Sequence, residues 1–222
     1  MLSPALQQSI RTRLPAGLEW RVTDDDADPD AQTLLFEYPA AFAAGPYLRS
    51  AVKIELGARS DTDPSANPEI QPYLCEALPG ELGPSSFRVH TVAPERTFWE
   101  KAMLLHEETF RAGDGPKARL ARHYYDLWCL IRAGIVEKAL ADPGLFTRIV
   151  THRTVYFRKN REITESLRPG SLRLLPADKY REAWAQDYAA MRETMFFGEA
   201  PAFDEILRAV GEFEERFNRA FG

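Results

Sequence analysis

The sequence predicts an α+β fold in which a small, mixed sheet lobe over residues 1–92 precedes a helical lobe over residues 93–222. Two observations support this class. Short extended segments joined by Pro, Gly, Asp and Ser clusters fill the first part, whereas longer stretches with a period near 3.6 residues fill the second. The sequence shows no repeat, low-complexity tract or flexible linker, so we expect the two lobes to pack as one unit.

The sheet lobe opens with a short helix from Ser3. Pro4 suits the first helical position, because the N–H that proline lacks would have no helical partner there. Residues of high β propensity bounded by turn residues then predict four strands. These are residues 18–23, 33–38, 51–56 and 87–92.

The helical lobe is predicted as five helices with loops at 113–116 and 169–176. They cover residues 94–111, 119–133, 145–159, 178–197 and 203–221. The apolar side of the first is predicted to be buried, and it comprises Phe98, Trp99, Ala102, Met103, Leu105, His106, Thr109 and Phe110. On the second helix Leu120, Tyr124, Leu127 and Ile131 form the predicted core face, and His123 and Asp126 are placed on the other side with Arg119 and Arg122.

Composition excludes several classes of protein. With 222 residues, 45% hydrophobic and 27% charged, the chain is long enough to bury a sizeable core. A net charge of −5 argues against broad electrostatic wrapping of nucleic acid, so a nucleic-acid role needs a specific site. The two cysteines, Cys75 and Cys129, make a disulfide framework improbable and fit a reducing cytoplasm. No apolar run is long enough to cross a bilayer, and we expect no membrane association.

The segment Val52 to Leu56 carries the first candidate site. Alternation along a strand places Val52, Ile54 and Leu56 on one face and Lys53 with Glu55 on the other. One interpretation is an ion pair on the solvent face of a half-buried strand. The other is that Glu55 binds a divalent metal through carboxylate oxygens while Lys53 neutralises phosphate charge.

The second candidate site combines Glu100 and Lys101 with His123 and Asp126. If the first two predicted helices pack as neighbours, a lysine and an aspartate meet near one seam. An ammonium suits a triphosphate as a compact point charge, and an aspartate beside it could orient it, act as a base or hold a metal. The alternative is a pair of surface contacts four residues apart, Arg122 with Asp126 and Arg96 with Glu100. The histidines lack the spacing of a zinc site.

Four stretches, in this order, resemble the AbiEii/AbiGii family of nucleotidyltransferase toxins. They read YLRSAVKIELGARSDTDP, VAPERTFWEKAMLLHEE, RLARHYYDLWCL and MRETMFFGEAPAFDEIL. The resemblance implies a DNA polymerase β-like nucleotidyltransferase fold and Mg²⁺-dependent transfer from a nucleoside triphosphate to an RNA acceptor such as tRNA. It also implies a toxic role in bacterial abortive infection by phage, and a winged-helix antitoxin as partner.

The resemblance also assigns roles to residues. Lys53, Ile54 and Glu55 align with a Lys-Ile/Val-Glu motif, Glu100 and Lys101 with the next charged motif, and Asp126 with the last motif aspartate. Lys101 and Asp126 would then be catalytic. Lys53, Glu100 and His123 would contact the nucleotide, and Glu55 would bind Mg²⁺.

One departure from the family pattern qualifies this expectation. The first motif, a Gly-Ser turn followed by Asp-x-Asp, does not occur in residues 1–20. Because two-metal phosphoryl transfer needs several carboxylates, we expect weak or absent Mg²⁺ binding and weak or absent transfer. Two hypotheses stay open: a truncated nucleotidyltransferase toxin, and a non-catalytic remnant that acts as a partner-binding or regulatory module.

Overall fold

The computed structural model describes residues 4–13, 21–24, 33–39, 50–55, 61–81, 83, 85–110, 115–156, 161–196 and 199–222. The chain divides into two compact units. The first combines Met1–Ser60 with Ala189–Ala200, and the second combines Asp61–Tyr188 with Pro201–Gly222. The lobe boundary that the sequence places at residue 92, and the packing of the two lobes as one unit, stay predictions.

In the first unit, helix α1 spans Pro4–Arg13, which confirms the predicted N-terminal helix. Three strands form an antiparallel sheet in the order β1-β2-β3. They are β1 (Arg21–Asp24), β2 (Thr33–Glu37) and β3 (Ala51–Glu55). In this register Lys53 lies opposite Leu35, and Glu55 lies opposite Thr33. The three predicted strands in this part of the chain are therefore confirmed, with the first displaced toward its C-terminal end.

In the second unit, four two-residue strands and a short helix precede the main helices. Strand β4 (Ser65–Ala66) pairs with β7 (Thr91–Val92), β5 (Glu69–Ile70) pairs with β6 (Phe87–Arg88), and α2 covers Tyr73–Ala77. The prediction of one strand over residues 87–92 is wrong. Two separate short strands lie within residues 87–92, because β6 pairs with β5 whereas β7 pairs with β4.

The described residues then form seven further helices, the sixth of which runs from the second unit into the first, and five of the seven confirm the predicted helices. Their bounds are α3 (Pro94–Thr109), α4 (Arg122–Arg132), α5 (Ile135–Ala141), α6 (Pro143–Tyr156), α7 (Arg161–Ser166), α8 (Asp178–Met195) and α9 (Phe203–Phe221). Helices α2, α5 and α7 were not predicted. Gly134 lies in the turn between α4 and α5 and is the N-cap residue of α5. Its φ of 71° is a left-handed conformation that glycine adopts at little cost.

Aromatic rings make up much of the core of the second unit. Trp99 on α3 is 1% exposed, and its indole N–H donates to the carbonyl oxygen of Ala139 at 3.2 Å. Its ring centroid lies 5.1 Å from that of Phe146 in an edge-to-face arrangement and 5.2 Å from that of Phe217. The predicted apolar side of α3 is confirmed at its buried positions, which are Phe98, Trp99, Ala102, Met103, Leu105 and His106.

Residues 172–175 form a segment without regular secondary structure that is buried in this core at Leu172 and Leu174. Leu172 and Leu174 are 1% and 0% exposed, so their backbone polar groups need partners inside the protein. Side chains of three helices supply them. These side chains are His106 on α3, Tyr124 on α4, and Glu214 and Asn218 on α9.

The amide of Asn218 serves both backbone groups of Leu172. Its Oδ1 accepts from the Leu172 N–H at 2.9 Å, and its Nδ2 donates to the Leu172 carbonyl oxygen at 2.8 Å. Glu214 accepts from the N–H groups of Leu174 and Leu175. The Tyr124 hydroxyl donates to the Leu174 carbonyl oxygen at 2.6 Å. These polar side chains thus supply the hydrogen bonds that a buried segment without regular secondary structure cannot make within itself.

The α+β class with a helical part is confirmed. Every strand pairing in the described part of the chain is antiparallel, so the parallel component of a mixed sheet stays a prediction. Among the described helices, none combines the length and the apolar composition that crossing a bilayer requires.

Candidate functional site

Helices α3 and α4 pack against each other and bring Lys101 next to Asp126. The Lys101 ammonium Nζ lies 2.7 Å from Oδ2 of Asp126 and 3.1 Å from Nδ1 of His123. Both helices bury an apolar stripe, and Lys101 and Asp126 lie at its margin with side chains 25% and 39% exposed. The predicted meeting of a lysine and an aspartate at this seam is therefore present in the structure.

The contacts define the protonation of this cluster. Because an ammonium can only donate, Nδ1 of His123 must accept from Lys101, and its ring proton then lies on Nε2. Nδ1 is 3.8 Å from Asp126 Oδ2, too far for a hydrogen bond. Burial acts to raise the pKa of Asp126, but the hydrogen bond from Lys101 and the lysine charge hold that pKa below its ordinary value. Asp126 is therefore an anion near neutral pH.

The placement of His123 on the solvent side of α4 is wrong, since this residue is 7% exposed. It lies between the buried face and the exposed face of the helix, where it contacts Lys101 across the seam. The alternative pairing of Asp126 with Arg122 is also wrong, because the carboxylate contacts Lys101 instead. Long-range packing of two helices has replaced the local contact four residues away.

Glu100 lies in a different set of contacts from Lys101. Its Oε1 accepts from Nε of Arg96 at 2.9 Å, which confirms the local pairing considered as the alternative. Arg96 is fully buried, and its Nη1 also donates to Oδ2 of Asp61 at 2.8 Å and to the carbonyl oxygen of Asp63. This guanidinium therefore ties the start of the second unit to α3. The nucleotide contact assigned to Glu100 stays a prediction.

In the first unit, Lys53 and Glu55 form an ion pair on one face of β3. The distance from Nζ to Oε1 is 2.7 Å, and the side chains are 50% and 68% exposed. The prediction that Val52 is buried is wrong, because it is 51% exposed, while Leu56 lies outside the described residues. The alternating pattern correctly placed Lys53 and Glu55 on the same face of the strand. It overestimated how far the opposite face is buried at Val52.

The predicted site residues therefore fall into two groups. Lys101, His123 and Asp126 meet in the second unit, and Lys53 meets Glu55 in the first. The nucleotide and metal roles assigned to these residues stay predictions.

Sequence reasoning missed Asp187, a residue of α8 that holds the start of α4. Its two carboxylate oxygens accept from the backbone N–H groups of Arg119 at 2.6 Å and Ala121 at 2.8 Å. Arg119 has a φ of 68°, which is uncommon for a residue with a side chain. Asp187 thereby pairs two N–H groups that precede the helix carrying His123 and Asp126. Because Asp187 lies 66 residues from Ala121 in the sequence, no local sequence pattern indicates this contact.

The described side chains do not fit a preformed Mg²⁺ centre. Within the described ranges, no three His, Cys, Asp or Glu side chains group closely enough to hold a metal. A magnesium ion prefers several oxygen ligands in octahedral geometry. Glu55 contributes one carboxylate, and it contacts Lys53.

An α+β chain with a lysine, an aspartate and a histidine joined at a helix seam is consistent with a nucleotidyltransferase-like fold. Residues 3–209 match the family described as "Nucleotidyl transferase AbiEii toxin, Type IV TA system", so the chain belongs to this family. The family is one of nucleotidyltransferase toxins of type IV toxin–antitoxin systems, and membership implies an antitoxin partner and a nucleotide substrate. No curated protein and no solved structure matches this chain.

Proposed function

We propose that this protein binds a nucleoside triphosphate at the seam of α3 and α4 and transfers a nucleotide from it to an RNA acceptor such as tRNA. Transfer is weak, because the described residues provide no preformed cage for Mg²⁺. The activity belongs to an abortive-infection response to phage in the bacterial cytoplasm. A winged-helix antitoxin opposes it.

The observation that carries this proposal is the contact of Lys101 with both Asp126 and His123. An ammonium has three N–H donors, and these two contacts use two of them. The third donor and the charge remain for a phosphate oxygen at a side chain that is one quarter exposed. Asp126 fixes the lysine in position and is the carboxylate that would accept a proton from the attacking hydroxyl group; its lowered pKa makes it a weak base, in keeping with weak transfer.

Lys53 and Glu55 carry a separate part of the proposal, which concerns the first unit by itself. An exposed lysine paired with a glutamate can exchange that partner for a phosphate at little cost, because exposed ion pairs contribute about 1 kcal/mol or less. Glu55 would supply a single carboxylate to Mg²⁺, which by itself gives only weak binding. Glu100 and His123 complete the nucleotide contacts.

A second candidate function is the non-catalytic module. It is favoured by the same contacts, since Lys101, Glu100 and Asp126 each contact another side chain of the protein. Ion pairs of this kind also occur as structural ties between helices. In that case the surface of the fold would bind a partner, and no nucleotide would be transferred.

The test uses the full chain with each of four α-labelled nucleoside triphosphates, Mg²⁺ and total bacterial RNA. Triphosphate affinity is measured separately, by equilibrium binding without RNA. We expect detectable labelling of RNA and binding that weakens about tenfold in Lys101→Ala, because one charged contact to phosphate contributes roughly 1.4 kcal/mol or more. Asp126→Asn should retain binding better than transfer.

Lys138→Ala is the matched control, since Lys138 is an exposed lysine on α5 away from the seam. It should behave as the unaltered protein in both assays. Triphosphate binding without any labelled RNA would favour the non-catalytic module. Equal binding by Lys101→Ala and the unaltered protein would refute the assignment of this seam as the nucleotide site.

A further inference from the structure

Residues 65–92 of the second unit form an arm that buries little of its own surface. Strands β4 and β5 pair with β7 and β6 in one continuous register, so the segment folds back on itself with α2 at its tip. Between the two pairs, the Val89 N–H donates to the Pro68 carbonyl oxygen at 3.2 Å. Of the residues that the structure describes in this arm, Cys75 alone is buried.

The two faces of the arm differ in polarity. Residues that lie directly opposite each other in a strand pair have their side chains on the same face. Ile70 lies opposite Phe87 on one face, while Glu69 lies opposite Arg88 on the other. By alternation, the face of Ile70 and Phe87 also includes two uncharged residues, Pro68 and Val89. We call this side of the strand pair the apolar face.

The apolar face is open to solvent toward the tip of the arm. Ile70 and Phe87 are 41% and 56% exposed. Helix α2 begins three residues after Ile70 and adds Leu74 and Leu78, which are 53% and 45% exposed and lie four residues apart. A pair of strands without a covering layer is only marginally stable in water, and clustered exposed apolar side chains mark contact surfaces. We therefore expect a second layer on this face.

The distribution of charge in the arm favours a second copy of this chain as that layer. A two-fold contact places a surface against itself, so a charged surface would meet its own charge. Two copies of a chain with a net charge of −5 repel each other, except where they present uncharged residues. The apolar face meets this condition, because Glu69 and Arg88 lie on the other face. A nucleic acid or an anionic lipid would instead need cations on the contact face.

We propose that the apolar face is the contact of a two-fold symmetric dimer, in which Ile70 and Phe87 of both protomers pack together with Leu74 and Leu78. The two strand pairs then form layers about 10 Å apart, with apolar side chains between them. Standard interfaces bury about 800 Å² on each partner, and this arm is short, so we expect a reversible dimer with a dissociation constant of about 1–100 μM. The arm contains no residue assigned to the nucleotide, so this inference is independent of the proposed function.

Sedimentation equilibrium of the full chain, from about 1 to 300 μM, measures the dissociation constant. Phe87→Ser and Leu74→Ser should each raise it about tenfold or more, because a symmetric dimer loses each apolar side chain twice. Val155→Ser is the matched control, since Val155 is 57% exposed on α6, outside the arm. This control should leave the dissociation constant unchanged. Circular dichroism and thermal melts verify that each variant is folded.

Hydrogen exchange locates the contact in the unaltered protein. Amides of β5, α2 and β6 should exchange more slowly at about 200 μM than at about 2 μM, while amides of α6 should exchange equally fast at both concentrations. A chain that stays monomeric over the whole concentration range would overturn the proposal and leave the apolar face to a different protein. A dimer that forms equally well in Phe87→Ser and Leu74→Ser, without concentration-dependent protection of the arm, would also overturn it, because the contact would then lie elsewhere.

Discussion

Replacing His106 with glutamine should remove much of the acid sensitivity of the second unit. His106 is fully buried on α3, where Nδ1 accepts from the N–H of Arg173 at 3.0 Å. Its other nitrogen, Nε2, must then carry the proton and donate to Oγ of Ser166 at 2.8 Å. Both contacts require the neutral ring. Burial, and secondarily the charge of Arg173, lower the pKa of His106 to about 4.

The size of the effect follows from this lowered pKa. An unfolded chain binds a proton on the same ring near pH 6.5, so the unfolded state gains protons first as the pH falls. The stabilisation from the neutral ring is fully present above pH 6.5 and is lost progressively down to about pH 4. Between pH 7.5 and pH 5 the free energy of unfolding should fall by roughly 2 kcal/mol from this group alone.

Urea denaturation at these two pH values, for the unaltered protein and for His106→Gln, measures the difference. Glutamine offers an acceptor and a donor in similar positions but does not titrate. The unaltered protein should therefore lose roughly 2 kcal/mol more than the variant on acidification, even if the variant is less stable at pH 7.5. A parallel loss of stability in both proteins would refute the assignment of a neutral, hydrogen-bonded His106.

Two further predictions concern the scaffold of the site. Trp99→Ala should lower the free energy of unfolding by about 3–5 kcal/mol, because it removes a buried ring and leaves the Ala139 carbonyl oxygen without its donor. Lys101→Ala should lower it by only about 1 kcal/mol, because the ion pair with Asp126 is partly exposed. Thermal and urea melts compare them, and a larger loss in the lysine variant would contradict this order. Asp187→Asn should cost about 1–2 kcal/mol, since an amide nitrogen cannot accept from the N–H groups before α4, and it should accelerate amide hydrogen exchange in the first turn of that helix. Asp204→Asn, on an exposed ion pair with Arg181, is its control and should leave exchange in α4 unchanged.

The long helices could be predicted because each carries an apolar stripe over many residues. Helix α3 begins at the predicted Pro94, and α9 covers the predicted residues 203–221. Helices α2, α5 and α7 have five to seven residues, too few for a periodic stripe to emerge. Strands β4 and β5 were not predicted for the same reason, since alternation needs at least four residues, and β6 and β7 were merged into one predicted strand.

The site was predictable where it depended on helix geometry. The periodicity of α3 and α4 placed Lys101 and Asp126 at a common seam, and the structure brings them to 2.7 Å. Asp187 was not predictable, because its partners are backbone N–H groups 66 and 68 residues away. Glu214 and Asn218 look like surface residues of an amphipathic helix, but they bond to the backbone of residues 172–175. A hydropathy pattern carries no information about such contacts.

The segment 172–175 has a consequence for the order of folding. Because its backbone groups pair with side chains of α3, α4 and α9, it has no structure to adopt until those three helices have met. Each of its buried leucines then fills space that the assembled helices have already enclosed. We expect the amides of this segment to become protected from hydrogen exchange late during refolding, after those of α3 and α9. The segment would then stabilise helices that have already assembled and would not nucleate their assembly.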